Sequence, residues 1–283
     1  MNIEKLFEKL PDMISGWVWL AGAGPGDPGL LSLLTLKGLQ QADVVIYDAL
    51  VSQDVLDMIG RSAVLEFAGK RGGQPSAKQA DISDQLIKHA KAGKKVLRLK
   101  GGDPFIFGRG GEEARCLVKS NIPFRVIPGI TAGIGGLAYA GIPLTDRHTN
   151  SAVTFLTGHG KDGGLSKDID WDSLSKSSPV IVIYMALSRV ELMCQQFLKS
   201  GRRPDEALAI ISRATMPDQT VLVTTLVDAA EAVVNAKIKA PALIVLGENV
   251  KLREGLDWLS AIEGKVLDVD LSGIIPQGSH LGK

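Results

Sequence analysis

The sequence predicts an α/β protein of two domains, each built on a mainly parallel sheet. Three observations lead there. Short apolar runs alternate with helical stretches along most of the chain. Runs such as Val44-Val45-Ile46-Tyr47 and Val180-Ile181-Val182-Ile183-Tyr184 are apolar at consecutive positions rather than at every second one. The composition turns polar over 143–150, after which the alternation restarts. A strand that is apolar throughout has both faces buried, which is the state of a parallel sheet covered by helices on both sides. At 283 residues the chain is long enough for two cores of ordinary size.

The elements follow in order. Residues 1–15 form an amphipathic lead-in, with Ile3, Leu6, Phe7 and Leu10 spaced for one helical face. The first domain spans 16–147. It opens with a strand over 17–21, which Gly22-Ala23-Gly24-Pro25-Gly26-Asp27-Pro28-Gly29 interrupts, and a helix over 30–41. Strands over 44–47, 63–67, 95–99 and 124–127 alternate with helices over 77–92 and 112–119. Pro128-Gly129-Ile130-Thr131-Ala132 then turns into a helix over 133–141 whose glycines and alanines suit close backbone packing. The second domain, 148–264, has strands over 153–157, 179–185, 207–211, 220–224 and 242–246, with helices over 188–199, up to 236, and near 252–259. A tail over 265–283 carries no strong pattern.

Bulk properties remove several function classes. The formal net charge is +1, so no global field draws the chain to nucleic acid or to a membrane surface. Cys116 and Cys194 are isolated, and His89, His148, His159 and His280 form no ligand motif, so neither a disulfide nor a metal site is expected. No window approaches the roughly 18 uninterrupted apolar residues of a membrane span, and the start lacks a signal-peptide pattern. The cytoplasm is the default compartment.

Candidate chemistry lies in the loops that follow strands, where open α/β sheets hold ligands. The segment from Gly101 to Gly111 is the most prominent, with Asp103 and Arg109 as its charged side chains. The first loop matches G-x-G-x-x-G, and Asp48 lies near the place of a ribose-binding acid. Pro25 and Pro28 weigh against a dinucleotide, because neither has an N–H to offer a pyrophosphate. Asp48, after an apolar strand, reads either as a general base or as the cap of a helix starting near Ser52. Lys70 and Arg71 are either carboxylate-binding and proton-donating groups or a solvated basic turn. Thr131-Ala132 and Tyr184-Met185-Ala186 fall at loop positions that share one cleft if the sheets are parallel, and Met185 is either core or a contact for a flat ring. His159, after Thr157-Gly158, is a third contact or a structural side chain.

Three of these segments in this order, Gly22 to Leu31, Gly101 to Glu113 and Pro128 to Ala132, closely resemble the tetrapyrrole methyltransferase family over about residues 16–260. The resemblance implies two α/β domains with S-adenosylmethionine in the cleft between them, and a homodimer. It implies methylation of uroporphyrinogen III at C2 and C7 to give precorrin-2, for siroheme or cobalamin. It assigns Pro25, Gly101, Gly102, Asp103, Ile106, Thr131, Ala132, Met185, Ala214 and Ala242 to the cofactor. It gives Asp48 and Lys70 the roles of proton acceptor and donor, and makes Arg109 a partner for substrate carboxylates. Two positions depart from the family pattern: Asp146 stands where histidine is expected, and Arg213 where a smaller polar residue is usual.

Overall fold

A computed structural model describes residues 3–69, 79–158, 160 and 164–267. Its contacts divide the chain into two compact units, Met1–Thr131 and Ala132–Lys283.

In the first unit, β1 (Val18–Gly22), β2 (Val44–Tyr47), β3 (Val64–Phe67), β4 (Val96–Lys100) and β5 (Phe124–Ile127) form one sheet in the order β3-β2-β4-β1-β5. Every neighbouring pair is parallel. Tyr47 pairs with both Phe67 and Leu99, and Ala21 with both Leu99 and Ile127, so one row crosses the whole sheet at its C-terminal end. All five following loops therefore leave from one edge.

The helices of this unit are α1 (Ile3–Lys9), α2 (Leu33–Gln41), α3 (Gln53–Leu56), α4 (Gln79–Lys91) and α5 (Gly110–Lys119). One sheet face, with Leu20, Ile46 and Val96, packs on Ile82 and Leu86 of α4 and Leu117 of α5. The opposite face, with Trp19, Val45, Leu97 and Leu99, packs on Leu39 of α2 and Val55 of α3. Successive strand residues point to opposite faces, so two-sided burial explains the unbroken apolar runs. Each fully buried large side chain contributes about 1.5–3 kcal/mol. The lead-in helix α1 is tied down by Lys37 of α2, whose Nζ donates to the Phe7 and Leu10 carbonyls at 2.8 and 2.6 Å.

The second unit contains α6 (Ala132–Tyr139), β6 (Val153–Thr157), α7 (Trp171–Ser177), β7 (Val180–Tyr184), α8 (Val190–Lys199), β8 (Ala207–Ser212), β9 (Thr220–Thr225), α9 (Ala229–Asn235), β10 (Ala242–Leu246), α10 (Arg253–Leu256) and α11 (Trp258–Ile262). Its sheet runs β6-β7-β10-β8-β9. The expectation of mainly parallel pairing needs correction here: β6 and β7 are parallel, and the other three pairs are antiparallel. The reason is topological. Strands β7 and β8, joined through α8, do run in one direction, as a helical crossover demands. Strand β10 then inserts between them in the opposite sense. The loop from β8 to β9 is too short for a crossover, so that pair is an antiparallel hairpin.

Composition places the domain boundary at 147/148, whereas the packing division falls after Thr131. Helix α6 and the turn after it are the cause, because Leu137, Ala140 and Ile142 join the core of Val180, Val182, Ala209 and Ile211.

Candidate active site

The loops after β1, β4 and β5 meet through bare backbone. Gly24 and Gly102 form a two-bond bridge, with Gly102 N donating to Gly24 O at 2.7 Å and Gly24 N to Gly102 O at 3.2 Å. A Cβ on Gly22 would stand 2.5 Å from Gly102 O and 2.6 Å from Gly129 Cα. Only glycine permits this approach. The first loop is held by its own caps. Asp27 accepts from Gly29 N at 2.7 Å, and Ser52 Oγ donates to Gly26 O at 2.8 Å. Ser32 caps α2 by accepting from Thr35 N at 3.1 Å. The dinucleotide pattern is thus spent on turns: α2 begins after the glycines and has its own side-chain cap. Pro25 lies half-buried in this loop.

The loop after β4 brings the acids together with backbone donors. Asp103 accepts from Phe105 N at 2.8 Å through one oxygen and from Gly129 N at 3.0 Å through the other. Each carboxylate oxygen keeps a further lone pair for a cationic ligand. Asp48 accepts from Leu50 N at 3.1 Å, and both of its oxygens lie 3.3 Å from Gly101 N. It therefore ties the end of β2 to the loop of β4. Ser52 occupies the cap position of α3, so Asp48 is not that cap. Ile106 is 37% exposed, and Thr131 is buried. Arg109 precedes α5 in the left-handed region, φ 60°, and holds Glu112 in a two-bond pair at 3.0 and 2.8 Å. The guanidinium keeps Glu112 below the usual carboxylate range. With both partners about half exposed, such a pair is worth about 0–1 kcal/mol, so Arg109 can exchange Glu112 for another carboxylate at little cost. Lys70, Arg71 and His159 lie outside the described residues.

In the second unit, Met185 follows β7 with φ 55° and is 48% exposed, which is not the packing of a core methionine. Ala214 is buried against α6, where a Cβ on Gly136 would come within 2.7 Å of it. Ala242 opens β10 and pairs with Ser212. Ala132 opens α6 and is half-buried. Seven non-glycine residues among those described have φ in the left-handed region. Five of them, Phe107, Arg109, Met185, Arg213 and Thr215, coincide with or flank expected site positions. The left-handed region is sparsely populated by non-glycine residues and costs backbone strain at these positions. Of the two departures, Asp146 closes a turn by accepting from His148 N at 2.9 Å. Arg213 pairs with Asp218.

Residues 18–230 match the family described as Tetrapyrrole (Corrin/Porphyrin) Methylases. The chain belongs to the tetrapyrrole methylase family. This methylase is 54% identical over 268 residues to a uroporphyrinogen-III C-methyltransferase of Sinorhizobium sp, covering 95% of this chain and 96% of that one. It is 50% identical over 244 residues to the siroheme synthase of Acinetobacter baylyi, covering 86% of this chain and 53% of the other, so it spans about half the length of that relative. A uroporphyrin-III C-methyl transferase from Thermus thermophilus, complexed with S-adenyl homocysteine, matches with TM-score 0.72 and 36% identity over 83% of this chain and 99% of that one. A cobalt precorrin-4 methyltransferase matches with TM-score 0.75 and 26% identity, covering 86% of the methylase and 99% of that chain.

Sequence reasoning passed over one cluster in this methylase. Arg98 and Lys100 of β4 point toward α4 and α5, and both are 3% exposed. Glu113 of α5, wholly buried, accepts through Oε1 from Lys100 Nζ at 3.0 Å, Arg98 Nε at 3.1 Å and Gln79 Nε2 at 2.9 Å. Burial, reinforced by the Arg98 charge, pushes the Lys100 ammonium below the ordinary lysine range. The signal was available. Two cations spaced by two on an otherwise apolar strand share one face, and a buried face with two cations needs an anion.

Proposed function

We propose that this methylase transfers methyl groups from S-adenosylmethionine to C2 and C7 of uroporphyrinogen III, giving precorrin-2 for siroheme or cobalamin, as a cytoplasmic homodimer. The observation that carries the reading is the 54% identity, over nearly the whole of both chains, to a uroporphyrinogen-III C-methyltransferase. Two further facts support it: a structural relative was solved with S-adenyl homocysteine, and no helix among the described residues is long and apolar enough to cross a membrane.

The residues present suit the methyl donor. S-adenosylmethionine supplies an electrophilic methyl group on a cationic sulfonium centre. Asp103 offers a carboxylate already oriented by two backbone N–H groups and still able to accept from an ammonium. Ile106 and Met185 present exposed apolar surface, and Gly101 and Gly102 lie partly exposed at the end of β4. In this reading Pro25, Thr131, Ala132, Met185, Ala214 and Ala242 complete the cofactor contacts.

The tetrapyrrole is electron-rich in its reduced state, so its ring carbon is the nucleophile and the chain's main task is alignment. Holding reacting atoms about 3–3.5 Å apart in line supplies of order 7–11 kcal/mol. Asp48 takes the proton that the methylated ring must lose, its carboxylate aimed by Leu50 N and Gly101 N. Lys70 is the proposed proton donor. Arg109 leaves Glu112 to hold a substrate carboxylate. The deciding experiment incubates the protein with methyl-labelled S-adenosylmethionine and uroporphyrinogen III. Doubly labelled precorrin-2 is expected, and the absence of any labelled tetrapyrrole overturns the proposal.

A further inference from the structure

The loop over 101–109 carries Gly101, Gly102, Asp103, Ile106 and Arg109, and its two ends are joined by a buried ion pair. Lys100 is the last residue of β4, and Glu113 lies in the first turn of α5. Their side chains meet at 3.0 Å, with exposures of 3% and 0%. The Lys100 stem runs beneath the loop, since a Cβ on Gly108 would come within 3.3 Å of Lys100 Cε. A buried pair of this kind is a weak source of stability, because desolvation offsets most of its Coulombic gain. The charge count also exceeds what neutralisation needs. Arg98 already pairs with Glu113 at 3.1 Å and donates to the Ile46 and Leu99 carbonyls at 3.3 and 3.2 Å. Lys100 adds a second cation to a carboxylate whose other oxygen, Oε2, makes no hydrogen bond among the described residues. Apolar residues would fill the space without this cost. What they would not supply is a fixed distance between the strand end and the helix start.

We propose that Lys100 and Glu113 form a positioning clasp that sets the span and shape of the 101–109 loop, and through it the placement of Asp103 and Asp48. The link to Asp48 is direct, because that carboxylate accepts from Gly101 N, the residue next to Lys100, and lies within reach of the Lys100 charge. Neither residue touches a reactant in this account. Both act through the loop. The ligand part of the inference rests on the proposed function, whereas the loop part stands on geometry alone.

The test uses Lys100→Met in the full chain, which keeps the stem and leaves Arg98 to neutralise Glu113 one to one. Hydrogen–deuterium exchange without ligand reads the loop. The amides of Gly102, Phe105 and Gly110 are bonded to Gly24 O, Asp103 Oδ1 and Pro104 O respectively, and so report its shape. They are expected to exchange at least tenfold faster in the variant, with amides of β1 and α4 within twofold of wild type. Titration with S-adenosylhomocysteine is expected to show at least tenfold weaker binding per folded molecule, and kcat is expected to fall with it. Lys100→Gln, which keeps a donor, should restore part of both. Wild-type exchange and affinity in Lys100→Met overturns the clasp, as does a lower melting temperature with both unchanged. Failure of both variants to fold overturns it too, since the pair would then be a determinant of the fold. A wild-type protein that binds no S-adenosylhomocysteine would sink the proposed function, while the exchange data would still decide the clasp.

Discussion

Substituting Gly22 by alanine tests whether bare backbone contact among three loops shapes the site. The new methyl group would stand 2.5 Å from Gly102 O and 2.6 Å from Gly129 Cα and N, where ordinary contact begins at 3.4 Å. The backbones must part by about 0.9 Å, because none of the colliding atoms belongs to a flexible side chain. Such overpacking costs about 1–3 kcal/mol of stability. The same displacement opens the 3.0 Å bond from Gly129 N to Asp103, which is one of the two donors that aim that carboxylate. Misplacement by about 1 Å costs up to about a hundredfold in rate. The expected result is a measurable fall in melting temperature, S-adenosylhomocysteine binding weakened tenfold or more in calorimetric titration, and label transfer reduced by one to two orders of magnitude. Gly111→Ala is the matched control. It lies in the same segment, but a Cβ there meets nothing nearer than Arg115 Nη1 at 3.8 Å, and alanine favours the helix by up to about 1 kcal/mol. Wild-type affinity and turnover in Gly22→Ala would refute the reasoning.

Asp48→Asn keeps an acceptor for Leu50 N and Gly101 N but cannot take a proton. Turnover should drop about 10²–10⁴-fold while S-adenosylhomocysteine binds within a few-fold of wild type; unchanged turnover would remove Asp48 as the base. Arg109→Ala should raise KM for the tetrapyrrole by about tenfold or more through loss of a charged hydrogen bond, leaving KM for S-adenosylmethionine and the melting temperature close to wild type. An equal rise in both constants would argue against a substrate role. Burial in α8 pushes the Cys194 thiol up to about 11 from its ordinary 9.0. Below the unfolded value both states hold the proton, so this thiol adds no pH dependence there. Between the two values the unfolded chain releases its proton and the folded chain keeps it. Stability therefore falls with rising pH across that window, by an amount of order 2 kcal/mol. Urea denaturation of wild type and Cys194→Ala at several alkaline pH values should show a steeper decline in wild type, and equal slopes would contradict the buried-thiol account.

Much of this protein was legible in its sequence because local chemistry wrote it there. Unbroken apolar runs at 44–47 and 180–184 announced strands buried on two faces, and each is an interior strand, second from the edge of its sheet. Pro25 and Pro28 argued against a pyrophosphate loop, and the structure spends that loop on turns and caps. The long motifs placed Gly101 to Asp103 at a strand end, which is where the sheet puts them. The helix read as starting near Ser52 is α3, whereas α7, of seven residues, escaped notice because two turns or fewer carry no readable period.

The remaining features depend on which distant segments become neighbours, and local periodicity does not encode that. Strands β7 and β8 run in the direction the sequence predicts, yet β10, from far along the chain, slides between them and makes the second sheet mixed. Met185 reads locally as either core or a ligand contact, and the structure leaves it exposed at a turn with positive φ. Lys100 falls just past the strand read over 95–99 and extends it in the structure. Only the packing of α5 on β4 brings Glu113 beneath it, thirteen residues on, and turns a glycine-rich connection into a loop clasped at both ends.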